Sequence, residues 1–395
     1  MFISTSATWS NSTSPTTSAA HQAVMNNNVL LVLEYLSPAL SIILGSLGLV
    51  FNFINTKVFL KQGVKDCVSV CLLSLSFSDN GSLLFGLMAA ACFFFYALTD
   101  MSGLKYFIDP MSVWRLFVQG QFCFYDLSTY TTAFIAIERC LCVVLPFNFK
   151  SIFNLRTSLL VLLCLYTGTF LLHMFFFAFT EFRIIYNPKF NISQSIIYFG
   201  PTRLLLEKYL QVFNHLCLSC VAMLTILVTS GLMIHRLQRA NKFRRQNGLK
   251  TVTKTLTRNL QVIHPEISVL SANVSCNNIV KDKNVTVILD NDIYPPGRYK
   301  RKLEENGLNA RHLRLVKMVY TLAVICFLSD AFRFLAMTTF YSDRELRPGG
   351  ARASTGNILG NFVYLVQIVN CSVNILVYLT CNQSYRLVFL SLFKS

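Results

Sequence analysis

Long apolar stretches alternate with shorter polar segments along the whole chain. Seven of these stretches hold the roughly 20 or more mostly apolar residues that a helix needs to cross a bilayer. Each is far longer than a core strand, and a helix satisfies its own backbone hydrogen bonds in lipid. The pattern therefore predicts an all-α integral membrane protein with a seven-transmembrane helix bundle. The predicted spans are Val32–Leu60, Cys67–Leu98, Val113–Leu145, Thr157–Phe179, Leu206–Leu237, Leu313–Tyr341 and Gly356–Thr380.

The polar segments outside the spans divide the chain into further regions. The first is rich in Ser and Thr, which indicates an extracellular, disordered N-terminus. The long segment between spans five and six has no folded-domain periodicity, so we interpret it as a disordered third cytoplasmic loop. The predicted regions are the N-terminus at 1–31, spans one to five within 32–237, the third loop at 238–312, spans six and seven within 313–380, and a tail at 381–395.

Composition and charge support the membrane interpretation. The chain is 53% hydrophobic and only 13% charged, too few charges for the surface of a soluble protein of 395 residues and too apolar for a disordered one. Of its 35 Lys and Arg residues, 25 fall on one side of the predicted membrane with only 8 acidic residues, so the whole net charge of +17 lies there. Positively charged loops remain in the cytoplasm. We therefore expect a plasma-membrane protein with its N-terminus outside and its C-terminus inside, and a basic face that meets anionic membrane lipids rather than nucleic acid.

Two kinds of modification site follow from this orientation. Asn11 begins an Asn-Ser-Thr triplet, and Asn191 begins an Asn-Ile-Ser triplet. Both lie in outer segments, so both are expected glycosylation sites. Four threonines among basic residues of the third loop form a candidate site for a kinase and arrestin, and an ordinary solvated loop is an equally open interpretation. These threonines are Thr251, Thr253, Thr255 and Thr257.

Several polar side chains occur inside the spans, where they are costly and usually face the bundle interior. Asn52 and Asp79 lie at mid-membrane depth in spans one and two, and Asn370 and Asn374 share one face of span seven. With Ser128 on span three they would form a hydrated oxygen cage for a small cation or water, or a structural hydrogen-bond cluster between helices. Both interpretations remain open.

Three short motifs occur in order on the second, third and seventh spans. They are Leu75-Ser76-Phe77-Ser78-Asp79, Ile137-Glu138-Arg139-Cys140 and Asn374-Ile375-Leu376-Val377-Tyr378. Together with the seven spans they resemble the rhodopsin-like (class A) G-protein-coupled receptors, and Phe59–Gly63 and Val316–Val319 resemble the divergent invertebrate orphan branch of peptide- or chemosensory-receptor-like members. The resemblance covers roughly residues 33–393 apart from the third loop. Its specificity lies in the order and spacing of the motifs.

The resemblance implies a role for each motif. Arg139 would pair with Glu138 at rest and leave it to contact the G protein, with Tyr378 placed as its partner; a snorkelling charged pair at a helix end is the alternative. The cage around Asp79 would hold Na+ and water and collapse on activation. The run Tyr385–Phe389 resembles a short amphipathic eighth helix at the inner membrane surface. No other cofactor is expected.

The chain departs from the family pattern at several positions. Trp114 occupies the span-three position of the family's outer disulfide, and residues 180–206 contain no cysteine, so this bridge is expected to be missing. Ser329 and Ile375 stand where the family has prolines in spans six and seven, and the fourth span lacks its usual tryptophan. Because those prolines kink helices, their loss predicts altered hinge motion.

A ligand pocket is expected among the outer halves of spans three, five, six and seven. Phe327 stands in place of the family's tryptophan at the pocket floor. Asp330 and Arg333 could instead pair with each other, and Asp126 could be a buried helix contact. Gln121 replaces the acidic residue of amine receptors, which favours an extracellular peptide or a polar small chemosensory molecule as ligand. The candidate pocket residues are Gln121, Tyr125, Asp126, Phe327, Asp330 and Arg333.

Together these features predict a receptor without enzymatic activity that binds an extracellular ligand and activates a heterotrimeric G protein through helix rearrangement. A multi-pass transporter is the alternative, and it would show internal repeats and matching broken spans, which the sequence lacks. No HExxH motif, catalytic carboxylate pair or Ser/His constellation indicates an enzyme. His173 and His215 are isolated within apolar runs.

Overall fold

The computed structural model of the protein shows a bundle of long helices. Among the residues it describes, seven helices are long and apolar enough to cross a membrane, which confirms the predicted seven-helix fold. The described residues are 17–64, 66–102, 106–145, 149, 153–187, 191–200, 209–210, 212–236, 238–239, 296–346 and 350–393.

The helices are numbered α1 to α9 in chain order. α5 opens with a π-helical turn at Val212–Leu218, and α7 and α8 together form the seventh span. α9 is therefore the amphipathic helix that the sequence analysis predicted as the eighth. The bounds are α1 Thr17–Gln62, α2 Cys67–Ser102, α3 Pro110–Val144, α4 Leu155–Ala178, α5 Val212–Arg236, α6 Pro296–Ser342, α7 Ala353–Ser372, α8 Asn374–Cys381 and α9 Gln383–Leu392.

Two helices begin well before the predicted region boundaries. α1 starts at Thr17 and α6 at Pro296, whereas the sequence placed the corresponding boundaries at residues 32 and 313. The segments 17–31 and 296–312 are helical where the sequence indicated disorder, because a helix nucleated in an apolar span propagates into neighbouring residues of good helix propensity. The apolar part of each helix still lies where the sequence predicted it.

α3 is the central helix of the bundle. Within its apolar window 67% of the residues are buried, against 22% for α1 and for α4. Gly81 on α2 faces the ring of Phe124, and Gly120 on α3 faces the ring of Phe85, so a side chain at either glycine would collide with an aromatic ring. Phe85 and Phe124 stack with ring centroids 5.5 Å apart. The two glycines thus allow α2 and α3 to pack closely around an aromatic pair.

An antiparallel β-hairpin between α4 and α5 was not predicted by the all-α assignment. Strand β1 (Thr180–Asn187) pairs with strand β2 (Ile192–Phe199), and both are rich in the β-branched and aromatic residues that favour strands. Ser195 of β2 donates its N–H to Phe107 O at 2.8 Å and accepts from Asp109 N at 3.0 Å. These backbone bonds attach the hairpin to the start of α3. We call this side of the bundle the hairpin end.

No disulfide occurs among the cysteines in the described part of the chain, and Cys123 on α3 is free. The family's outer disulfide would join the top of α3 to the loop that here forms the hairpin. The bonds of Ser195 make the corresponding connection through the backbone. Gln194 adds a side-chain bond, because its Nε2 donates to Tyr106 O at 3.1 Å.

Spans six and seven both lack the family's proline, but only span seven is interrupted. α6 runs without interruption through Ser329. The seventh span is interrupted at Val373, between α7 and α8, although the proline position is occupied by Ile375. The interruption directly precedes Asn374, whose side chain is drawn to a carboxylate on α2. A polar anchor, rather than a proline, therefore coincides with the break.

α9 closes the opposite side of the bundle, which we call the α9 end. Tyr385 is fully buried and donates its hydroxyl to Asn55 Oδ1 of α1 at 2.5 Å. Arg386 donates to two carbonyl groups in the last turn of α8. Leu387 and Leu390 are exposed on the other face. This arrangement suits an amphipathic helix that rests on a membrane surface.

Candidate functional site

Buried polar groups from several helices surround Asp126, in the middle of α3. Its Oδ1 accepts from Arg333 Nη1 of α6 at 2.6 Å. Its Oδ2 accepts from Asn214 Nδ2 of α5 at 2.7 Å and lies 3.3 Å from His173 Nε2 of α4. All four side chains are at most 3% exposed. One carboxylate thus joins four helices in a site from which water is excluded.

Arg333 contacts several other groups besides Asp126. Its Nη2 lies 3.2 Å from Asp330 Oδ1, one helical turn away, and donates to Ser219 Oγ of α5 at 2.5 Å. The guanidinium carbon also lies 4.9 Å from the centroid of the Tyr125 ring. Two carboxylates therefore share one guanidinium, and a buried charge of this kind is stable only when it is paired in this way.

His173 connects this polar network to a further residue of α3. Gln119 Nε2 lies 3.1 Å from His173 Nδ1. On the other side of the ring, His173 Nε2 lies 3.0 Å from Asn214 Nδ2 and 3.3 Å from Asp126 Oδ2. The sequence analysis treated His173 as isolated, and Asn214 and Ser219 were not singled out. In the sequence, each of these residues stands out only as a polar side chain within an apolar span. That observation does not identify the helix to which the side chain bonds.

The predicted pocket residues divide into two groups. Tyr125, Asp126, Asp330 and Arg333 come together, and the pairing of Asp330 with Arg333 that was left open is present alongside the bond to Asp126. Phe327 lies apart, packed on an apolar cluster of α3, α5 and α6. Gln121 also lies apart, where its Nε2 is 3.5 Å from Gln367 Oε1 of α7.

A second polar cluster lies around Asp79 on α2. Ser128 Oγ donates to its Oδ1 and Asn374 Nδ2 to its Oδ2, both at 2.6 Å. Asn370 instead donates to Tyr125 Oη at 3.4 Å, and Asn52 to the Cys371 carbonyl at 2.8 Å. The predicted cage is thus assembled only in part.

The donor set around Asp79 fits a small cation better than a transition metal. Oxygen atoms of Asp79 and Ser128 adjoin each other in a fully buried position, and oxygen ligands suit hard cations. No group of three or more His, Cys, Asp or Glu side chains that could hold a metal ion occurs among the described residues. Asn374 presents its N–H2 to the carboxylate, so the remaining ligands of a cation there would be water.

Glu138 and Arg139 form a buried ion pair at the α9 end of α3. Arg139 Nη2 lies 2.6 Å from Glu138 Oε1, and the side chains are 7% and 0% exposed. Glu138 Oε2 also accepts from the Cys71 thiol of α2 at 3.6 Å. Tyr378 packs between the rings of Phe59 and Tyr385, at centroid distances of 5.1 and 5.4 Å. Arg139 thus pairs with Glu138, whereas Tyr378, predicted as a partner of Arg139, packs in an aromatic cluster with Phe59 and Tyr385.

The predicted modification sites lie mostly outside the described residues, where Asn11 and the four threonines of the third loop are found. Asn191 is described, and it occupies the hairpin turn with a φ of 53°. It is exposed, and Tyr186 donates its hydroxyl to Asn191 Oδ1. Glycosylation there stays a prediction.

Comparison with known proteins agrees with this geometry. Residues 47–378 match the family model described as "7 transmembrane receptor (rhodopsin family)". No curated protein matches the chain. The match covers well over half of the sequence and includes the clusters around Asp126, Asp79 and Arg139. The chain therefore belongs to the rhodopsin family of seven-transmembrane receptors.

Proposed function

We propose that the protein is a ligand-activated receptor of the plasma membrane that couples to a heterotrimeric G protein. The observation that carries this proposal is the buried pair of Glu138 and Arg139 at the α9 end. A rearrangement at this end would let the Arg139 guanidinium leave Glu138, its neighbour on the same helix, and reach a partner. The basic loops gather on the same side, which supports a cytoplasmic position for the α9 end.

The ligand in this proposal is a peptide or a polar small molecule that approaches from the hairpin end. Asp126 and Arg333 form a direct ion pair between α3 and α6. A ligand that offers its own charge or hydrogen bonds to either group competes with this pair. Since a ligand shifts a conformational equilibrium only through its differential affinity for the two states, competition for a buried ion pair is an effective trigger.

Na+ is proposed as an allosteric ion beside Asp79 and Ser128. The cation would offset the buried negative charge of Asp79 and stabilise the resting arrangement of α2, α3 and α8. This proposal is supported by the adjacent carboxylate and hydroxyl oxygens.

Signalling in the absence of ligand tests the proposed coupling. In cells that express the receptor with a promiscuous G-protein α subunit, Arg139→Ala should abolish the basal output. Arg156→Ala is the matched control, because Arg156 is an exposed arginine in the first turn of α4. It should keep the wild-type output at equal surface expression. Equal output from both variants would overturn the proposed role of Arg139.

A further inference from the structure

A cavity of about 330 Å³ lies between α6 and α7 and adjoins the polar residues described above through Asn370. Five of its lining side chains are apolar, and the other two are Ser329 and Asn370. Its volume falls at the lower end of the range of small-molecule sites, roughly 300 to 1,000 Å³. The cavity is thus large enough for a small lipophilic molecule.

The cavity opens toward the acyl chains of the bilayer. Leu328 is 62% exposed and Val369 is 45% exposed, and both line the cavity. They lie near the centres of the apolar windows Arg314–Phe340 and Ser354–Cys381. A molecule that enters at this depth must arrive through lipid. Charged molecules are therefore excluded, because an ion at the bilayer centre is strongly disfavoured.

The inner end of the cavity carries a hydrogen-bond acceptor without a donor. Asn370 Nδ2 donates to Tyr125 Oη, and Ser329 Oγ lies 2.8 Å from the same hydroxyl. Among the described residues, no group donates to Asn370 Oδ1, although Asn370 is only 8% exposed. An amide oxygen at this depth has no bulk water to bond, so it favours an occupant that brings one donor.

We propose that this α6–α7 cavity binds a lipophilic alcohol that enters from the bilayer. Its hydrocarbon chain packs on the five apolar side chains, and its hydroxyl donates to Asn370 Oδ1. Phospholipid acyl chains can fill the apolar wall but carry no donor. The occupant would contact Asn370 and Ser329, which both bond to Tyr125, the residue whose ring lies below the Arg333 guanidinium. The inference concerns binding alone and does not depend on coupling to a G protein.

Photolabelling of the purified full-length receptor in nanodiscs tests this proposal. The probe is a long-chain primary alcohol with a diazirine on its chain, competed by unlabelled 1-dodecanol or by n-dodecane, and labelled peptides are mapped by mass spectrometry. We expect label on the cavity-lining parts of α6 and α7, displaced by dodecanol but not by dodecane. Dodecane that displaces the label equally well would overturn the proposal.

Two variants test the site itself. Leu328→Trp should fill the mouth and remove the label, whereas Leu335→Trp should keep it, because Leu335 is 64% exposed on the same helix but does not line the cavity. Asn370→Leu keeps the size of the side chain and should weaken competition by dodecanol about tenfold, the effect of one lost hydrogen bond. Equal labelling of both Trp variants, or unchanged competition in Asn370→Leu, would overturn the assignment. Thermal melting of each variant establishes that it is folded.

Discussion

At the scale of single residues, the largest energetic demand comes from the charges buried among α3 to α6. Asp126, Asp330 and Arg333 are all 0% exposed. Removal of one partner from such a group leaves an unpaired charge in the interior, which costs about 3–5 kcal/mol. An exposed ion pair contributes only about 0–1 kcal/mol. The two kinds of pair can be compared within this one chain.

We expect Arg333→Ala to lower the thermal stability of the purified receptor strongly, because both carboxylates lose their common partner. The matched control is Arg352→Ala. Arg352 contacts Asp343 at 2.5 Å with a side chain that is 60% exposed, so its loss should change the melting temperature little. Scanning fluorimetry measures both. Equal shifts for the two variants would show that the network around Asp126 is not a stabilising unit.

A second prediction for single residues concerns Na+ binding beside Asp79. If Na+ binds beside Asp79 and Ser128, replacement of N-methylglucamine by NaCl at equal ionic strength raises the melting temperature of the wild-type receptor, since a ligand of the folded state stabilises it. Asp79→Asn keeps the size of the side chain but removes the charge and one of the two acceptor oxygens, so its melting temperature should not respond to Na+. An equal response in wild type and Asp79→Asn would rule out this ion site.

The sequence revealed charged side chains of this interior more readily than neutral ones. Asp79, Asp126 and Arg333 were predicted as functional because a charge within an apolar span is costly and needs a reason. His173 and Asn214 were missed, since a neutral polar side chain in a span is common and spacing on one helix does not identify its partner on another. Asn370 was assigned to Asp79 on its helical face, whereas its amide bonds to Tyr125.

At the scale of elements, the connection between the hairpin and α3 replaces a covalent bond by backbone hydrogen bonds. We expect Ser195→Pro to lower thermal stability, because proline removes the N–H that bonds to Phe107. Ser195→Ala retains that N–H and should behave as wild type. Scanning fluorimetry of both variants measures the difference. Identical melting of Ser195→Pro and Ser195→Ala would mean that the hairpin is not held by this bond.

The spans could be predicted from the sequence because a membrane imposes a length and an apolar composition on each helix. The hairpin could not, since its two strands are short and their pairing depends on backbone groups of the segment before α3. The break at Val373 was also hidden, because the proline that usually signals it is absent. The break directly precedes Asn374, whose bond to Asp79 is a tertiary contact.

At the scale of the whole molecule, buried polar groups form successive layers from the hairpin end to the α9 end. The network around Asp126 comes first, and Tyr125 and Asn370 connect it toward α7. The cluster around Asp79 follows, and the pair of Glu138 and Arg139 comes last. Each layer joins α3 to other helices. In the proposed function, a rearrangement of α3 against α6 at the first layer would reach the last through these packed contacts.

In the proposed function, Glu138 holds Arg139 in a resting position, and release of Arg139 allows the receptor to act on a G protein. The most direct measurement is nucleotide exchange by a purified heterotrimeric G protein in the presence of purified receptor and no ligand. Glu138→Gln removes the charge that holds Arg139, so it should raise the exchange rate above wild type. The double variant Glu138→Gln/Arg139→Ala should return the rate to that of the G protein alone. If Glu138→Gln gave the wild-type exchange rate, or if the double variant were as active as Glu138→Gln, Glu138 would not act by holding Arg139.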